Sequence, residues 1–189
     1  MSAPTFGLTF PHTWHVEILP ARPAILPARH FVYPRAVDEI ERGALEVLVR
    51  PDEPGATPFL ATCALGFRDP VVPTGIWSTP NPREMCAVSG GYAYIIDTTA
   101  PERFKMLTYR PVLQVHPIVT QGLLLFVGHR SIFAWGANGE AWETVKLSDE
   151  GVTVTDIEGA VLRGRGWHMI TDKETPFAVD LRNGVLVTK

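Results

Sequence analysis

The chain has 189 residues, of which 46% are hydrophobic and 20% charged. That length and composition suit one globular domain with a full core and exclude a disordered chain. A formal net charge of −3 excludes the broad basic field that binding to nucleic acid or another polyanion requires.

Proline divides the sequence. Thirteen of the 17 prolines lie in residues 1–82, and each removes a backbone donor and fixes φ. The expectation is a single domain over 1–189, with a proline-rich part (1–82) of short extended pieces and a more regular β part (83–189). Within the first part, 16–19 reads as a short strand. Residues 38–45 are the one plausible helix, weakened by Gly43, and 45–49 is equally readable as a strand. Residues 59–66 form a good strand candidate, and 76–78 a short one ended by Pro80 and Pro82.

The signals sharpen after residue 83. Strands are expected over 85–89, 92–97, 123–127, 131–135, 141–147, 152–157, 168–171, 177–181 and 185–188. Asn138-Gly139 and Asn183-Gly184 have the composition of tight hairpin turns, with glycine at positive φ. Strand following strand at short intervals predicts an all-β fold.

Three stretches resemble weak copies of one another. Gly91, Gly128 and Gly166 lie 37 and 38 residues apart, each after an apolar run and before an aromatic or β-branched one. A unit of that length suggests propeller-like or blade-like stacked antiparallel β-units; a β-sandwich is the alternative. If the copies superpose, Tyr92, His129, Arg130, Trp167 and His168 border one shared face. Aromatic, imidazole and guanidinium groups together have the composition of a binding surface.

Signs of catalysis are thin. His12 and His15 flank Trp14, but on an extended chain side chains three apart point to opposite faces and cannot converge on one metal. Asp97, Asp156, Asp172 and Asp180 lie at or near strand ends, where carboxylates accept local backbone N–H groups. Ser89-Gly90-Gly91 reads as a flexible turn, not a nucleophile elbow. Arg163-Gly164-Arg165-Gly166 reads as a short basic loop. Cys63 and Cys86 sit in small apolar flanks that suggest buried, unreactive thiols.

The N-terminus has no basic start leading into an apolar run, and no apolar run reaches the length of a membrane span. The expectation is a bacterial cytoplasmic protein without membrane contact, metal or cofactor. The leading reading is a non-catalytic β-domain whose partner is another protein, as an inhibitor, immunity protein, adaptor or assembly subunit. The alternative is a small hydrolase or other enzyme whose site gathers His116, His129, His168, Arg130, Asp97 and Asp172 from distant loops.

Overall fold

A computed structural model of the chain describes residues 4–35 and 37–187, with the side chains at 37–39 left out of account. The fold is nearly all β, built from four sheets that are mostly antiparallel. Backbone contacts group the chain into two compact units, one up to Pro111 and one from Val112. The change in proline density near residue 82 thus falls inside the first unit.

The first unit contains β1 (Thr5–Gly7), β2 (Trp14–Leu19), β3 (His30–Tyr33), β4 (Ala44–Pro51), β5 (Phe59–Ala64), β6 (Gly75–Ser78), β7 (Glu84–Ser89), β8 (Tyr92–Asp97) and β9 (Phe104–Met106). They form two sheets, ordered β1-β6-β7-β8-β9 and β2-β4-β5-β3. Alternate residues point to one face of a strand. Leu45, Val47 and Val49 of β4, Phe59, Ala61 and Cys63 of β5, Met85 and Ala87 of β7, and Tyr94 and Ile96 of β8 accordingly fall in one buried cluster. One face of each sheet therefore lies on a shared core, as in layered β packing. The buried tyrosines keep their hydroxyls bonded, Tyr33 to the Pro101 carbonyl at 2.8 Å and Tyr94 to the Ala64 carbonyl at 2.9 Å. Burial raises the pKa of both Cys63 and Cys86, so each thiol stays protonated.

The second unit contains β10 (Gln114–Ile118), β11 (Leu123–Val127), β12 (Ile132–Gly136), β13 (Gly139–Glu143), β14 (Val152–Glu158), β15 (Val161–His168) and β16 (Lys173–Asp180). Its sheets are β10-β11-β12-β13 and β14-β15-β16. Leu125, Val127, Ile132 and Ala134 from one, and Val152, Leu162 and Val179 from the other, share a second buried cluster.

Both expected hairpin glycines hold positive φ, Gly139 at +109° and Gly184 at +73°. Gly136 pairs with Gly139, so Ala137 and Asn138 span a two-residue loop. After β16 the chain turns back, with Asp180 N–H donating to the Val185 carbonyl and Val187 N–H to the Ala178 carbonyl. The return forms only a single bridge, Val179 with Leu186; position 188 lies outside the described residues.

Several expectations need correction. Residues 37–42 form a short 3-10 helix ended by Gly43 at φ +115°, and β4 starts at once. A second 3-10 turn, Val119–Gln121, has no signal in the sequence. The strand expected over 141–147 stops at Glu143. Of the one expected over 168–171, only His168 is extended, as the last residue of β15, and 169–172 form a turn with Asp172 at φ +48°.

The segment expected as a basic loop, 163–166, is the middle of β15. A Cβ on Gly164 would stand 2.4 Å from the Phe177 ring, and one on Gly166 2.0 Å from the Leu147 carbonyl oxygen. These glycines admit close neighbours within a strand and do not mark a turn. Gly91 and Gly128 do lie in connections between strands, so the third stretch does not match the other two in structure. β1, β3, β9 and β10 carry no strand signal in the sequence, because their proline-flanked or short runs lack clear alternation.

Candidate functional site

The residues expected to form one binding face divide between the units. Tyr92 belongs to the first. It is half-buried on β8, packs edge-on against Phe67 at 5.7 Å between ring centres, and has the Arg110 guanidinium 5.2 Å from its own ring centre. His129, Arg130, Trp167 and His168 all belong to the second unit.

There, the segment 147–151 stitches those four residues into one neighbourhood. On one side, Leu147 N–H donates to the Arg130 carbonyl at 2.7 Å and Gly151 N–H to the His129 carbonyl at 2.9 Å. On the other, Asp149 N–H donates to the Trp167 carbonyl at 2.8 Å. The buried Ser148 hydroxyl lies 2.9 Å from that same carbonyl. Main-chain bonds thus fix the β11–β12 connection and the end of β15 on either side of one short segment.

Asp149 is the electrostatic centre of the group. It accepts from Lys146 Nζ and, at 2.8 Å, from the Met169 N–H. His168 Nδ1 lies 3.9 Å from the same carboxylate. The Lys146 and Met169 bonds hold the Asp149 carboxyl below the usual carboxylate range. Trp167 Nε1 donates to Asp172 at 3.1 Å, which ties the indole to the turn after β15. At the tip of that turn Met169 is 66% and Ile170 96% exposed. Arg130 is exposed and has no ion-pair partner among the described residues.

The other sequence candidates serve local structure. Asp97 accepts from Thr99 N–H at 2.9 Å, Ala100 N–H at 3.1 Å and Arg103 at 2.7 Å. Burial alone would raise its pKa, but the bond from the Thr99 hydroxyl at 2.7 Å, together with those N–H bonds and the Arg103 charge, outweighs it and holds the carboxyl below its usual range. Asp180 is pinned by Arg182, which brings its pKa down to about 2. Arg163 is matched by Asp156 at 3.2 Å and Glu158 at 3.3 Å. His12 bonds the Phe10 carbonyl at 2.9 Å, whereas His15 pairs with Asp52 at 3.0 Å. Among the described residues no group of three or more His, Cys, Asp or Glu side chains could hold a metal ion.

The first unit has a concavity that the sequence does not announce, a pocket of about 970 Å³. Its walls come from Pro4 and Phe6, from the end of β2, from the start of β4, and from the connection 65–74. No histidine or cysteine lines it. Five separate segments supply the lining, the fifth being Ser89 at the end of β7, and no motif links them, so composition and spacing carry no trace of it.

No protein-family profile matches the chain, and no curated protein matches it.

Proposed function

We propose that the chain is a non-catalytic binding module that docks another protein through the second-unit surface bounded by Arg130, His168 and Ile170. The observation that carries this reading is the exposed Met169–Ile170 tip standing on a hydrogen-bonded frame. A large apolar side chain held outward gains nothing in the free chain and becomes favourable when a partner covers it. The exposed Arg130 guanidinium beside the same frame, without an ion-pair partner among the described residues, supplies an always-charged donor fork. The partner surface should therefore offer an apolar socket with a carboxylate at its rim.

Catalysis at this surface is disfavoured by how its acid is used. Asp149 spends its oxygens on Lys146 and the Met169 N–H, and His168 at 3.9 Å lies beyond a hydrogen bond to it. Blade-like stacking of the sheets belongs to the same proposal. It is supported by the antiparallel meanders β6–β9, β10–β13 and β14–β16, while the core shared by two sheets within each unit supports the sandwich alternative equally.

The test places a photo-crosslinking residue at position 170 and, as a control, at the exposed Thr153. A partner captured from 170 but not from 153 is then titrated against Arg130→Ala and Ile170→Asp. Each variant should weaken binding about ten-fold or more with an unchanged melting temperature. Equal capture at both positions, or full affinity in both folded variants, overturns the assignment.

A further inference from the structure

The pocket of the first unit is built for a ligand of a different kind. Its volume of about 970 Å³ lies near the top of the range for small-molecule sites. Its wall is mainly apolar: Ile18 and Leu19 from β2, Leu45 from β4, and Leu65, Phe67 and Val72 from the connection that follows β5.

Arg42, Glu46, Arg68, Asp69, Thr74 and Ser89 break that surface, and two of them carry the argument. The first is Arg68, whose Nε and Nη2 both donate to the Arg42 carbonyl, at 3.2 and 2.7 Å. The guanidinium is thereby fixed at the pocket while its other N–H groups remain uncommitted. It has no carboxylate partner among the described residues. The two acids of the lining do not fill that role: Glu46 is taken by Arg22 at 2.8 Å and Thr62 at 2.5 Å, and Asp69 accepts from Val71 N–H at 2.9 Å.

The second is Ser89, fully buried in the wall, whose hydroxyl has no hydrogen-bond partner among the described residues. A buried hydroxyl without a partner carries a desolvation cost, and a ligand oxygen that displaces the wall enough to reach it would remove that cost. Arg68 and Ser89 also share one wall. Gly66 N–H donates to the Ser89 carbonyl at 3.0 Å and Phe67 N–H to the Gly90 carbonyl at 2.8 Å. Gly90 makes this possible: it sits at φ +55°, and a Cβ there would stand 2.5 Å from the Phe67 carbonyl oxygen.

We propose that this pocket binds a medium-chain alkyl carboxylate, with its tail among Ile18, Leu65, Phe67 and Val72 and its carboxylate bonded to Arg68 and Ser89. A planar carboxylate matches the guanidinium fork, and an apolar tail gains from every methylene it buries.

Calorimetric titration of the full chain with decanoate, decanol and decyltrimethylammonium tests it. Decanoate should bind, decanol about ten-fold more weakly, and the ammonium compound more weakly than decanol. Arg68→Met should cut decanoate affinity about ten-fold and leave decanol unchanged. Ser89→Ala should lower decanoate affinity several-fold while the melting temperature holds or rises, because it removes a hydroxyl that has no partner in the free protein. Amide NMR shifts on adding decanoate should centre on Ala44, Gly66 and Thr74. The proposal is overturned if decanoate does not bind, if decanol binds equally well, or if the shifts map elsewhere. It is equally overturned if Arg68→Met leaves decanoate affinity intact, or if Ser89→Ala lowers stability without touching affinity.

Discussion

Gly139 and Gly184 share a positive φ but not an environment. Nothing lies nearer than 3.9 Å to a Cβ built on Gly139, whereas one built on Gly184 would stand 2.6 Å from the Trp142 ring. That indole is itself fixed, its Nε1 donating to the Leu181 carbonyl at 2.9 Å. Gly139→Ala should therefore cost about 1 kcal/mol, the backbone strain alone. Gly184→Ala should cost roughly 2 kcal/mol or more, since the ring must also move. Denaturant titration of both variants checks the ranking, and equal losses would refute the steric argument. Histidine supplies the pH dependence at this scale. His30 is lowered by burial and then by the Arg22 charge, against a raising effect of Glu46; His116 is lowered by burial. Each titrates at 6.5 when unfolded. Above 6.5 both states are neutral and neither group alters stability. As pH falls from 6.5 toward the folded values the unfolded chain takes up the protons first, so stability is lost. The melting temperature should be lower at about pH 5.5 than at about pH 7.5, and His30→Gln with His116→Gln should shrink the difference. Asp97, Asp149 and Asp180 do not contribute in that window. Their lowered pKa values give stability that is present above the unfolded 3.8 and lost only as pH falls below it.

At the scale of elements, β15 shows how packing governs a strand that the sequence presents as a loop. Its arginines face water and meet acids, while its glycines admit neighbours that no side chain would leave room for. Gly166→Ala should push the Leu147 carbonyl away and disturb the segment that joins Arg130 to Trp167, costing about 2–3 kcal/mol. Arg163→Ala removes only half-exposed ion pairs and should cost less than about 0.5 kcal/mol. Comparing the two melting temperatures tests whether the glycines or the charges hold this strand. The same contrast explains what was legible in the sequence. β7, β8, β11, β12 and β14 were readable because apolar or alternating runs end in glycine or polar turns. β1 and β9 were not, because three residues carry no period. The run Met169-Ile170-Thr171 has strand composition, yet it turns, since Asp172 takes a left-handed conformation and bonds Trp167. His168 and Arg130 could be singled out by type. The carboxylate beside His168, Asp149, could not, because it reaches Met169 across 20 positions of sequence.

On the scale of the whole molecule, nine of the twelve strand pairings among the described residues join consecutive strands, and the three that do not, β1 with β6, β2 with β4 and β3 with β5, all lie in the first unit. Thr5 of β1 lies beside Gly75 of β6 in a parallel pair, and His30 of β3 beside Leu60 of β5 in another. Phe10 N–H reaches the Ser78 hydroxyl at 2.8 Å, and the Tyr33 hydroxyl reaches the Pro101 carbonyl. Each such contact closes a long loop before its burial repays the lost entropy. The parallel pairs add to this, since no hairpin can nucleate them. The antiparallel meanders β10–β13 and β14–β16 need only short connections. Folding should therefore be slow for a chain of this length, with a main phase in the range of milliseconds to seconds. Tryptophan reports on the two kinds of topology separately. Trp14 and Trp77 lie in the unit with long-range pairings, and Trp135, Trp142 and Trp167 in the unit of meanders. In stopped-flow refolding, a variant that keeps only Trp77 should report a slower main phase than one that keeps only Trp142. A faster phase from Trp77 would show that loop closure between distant strands does not limit the rate.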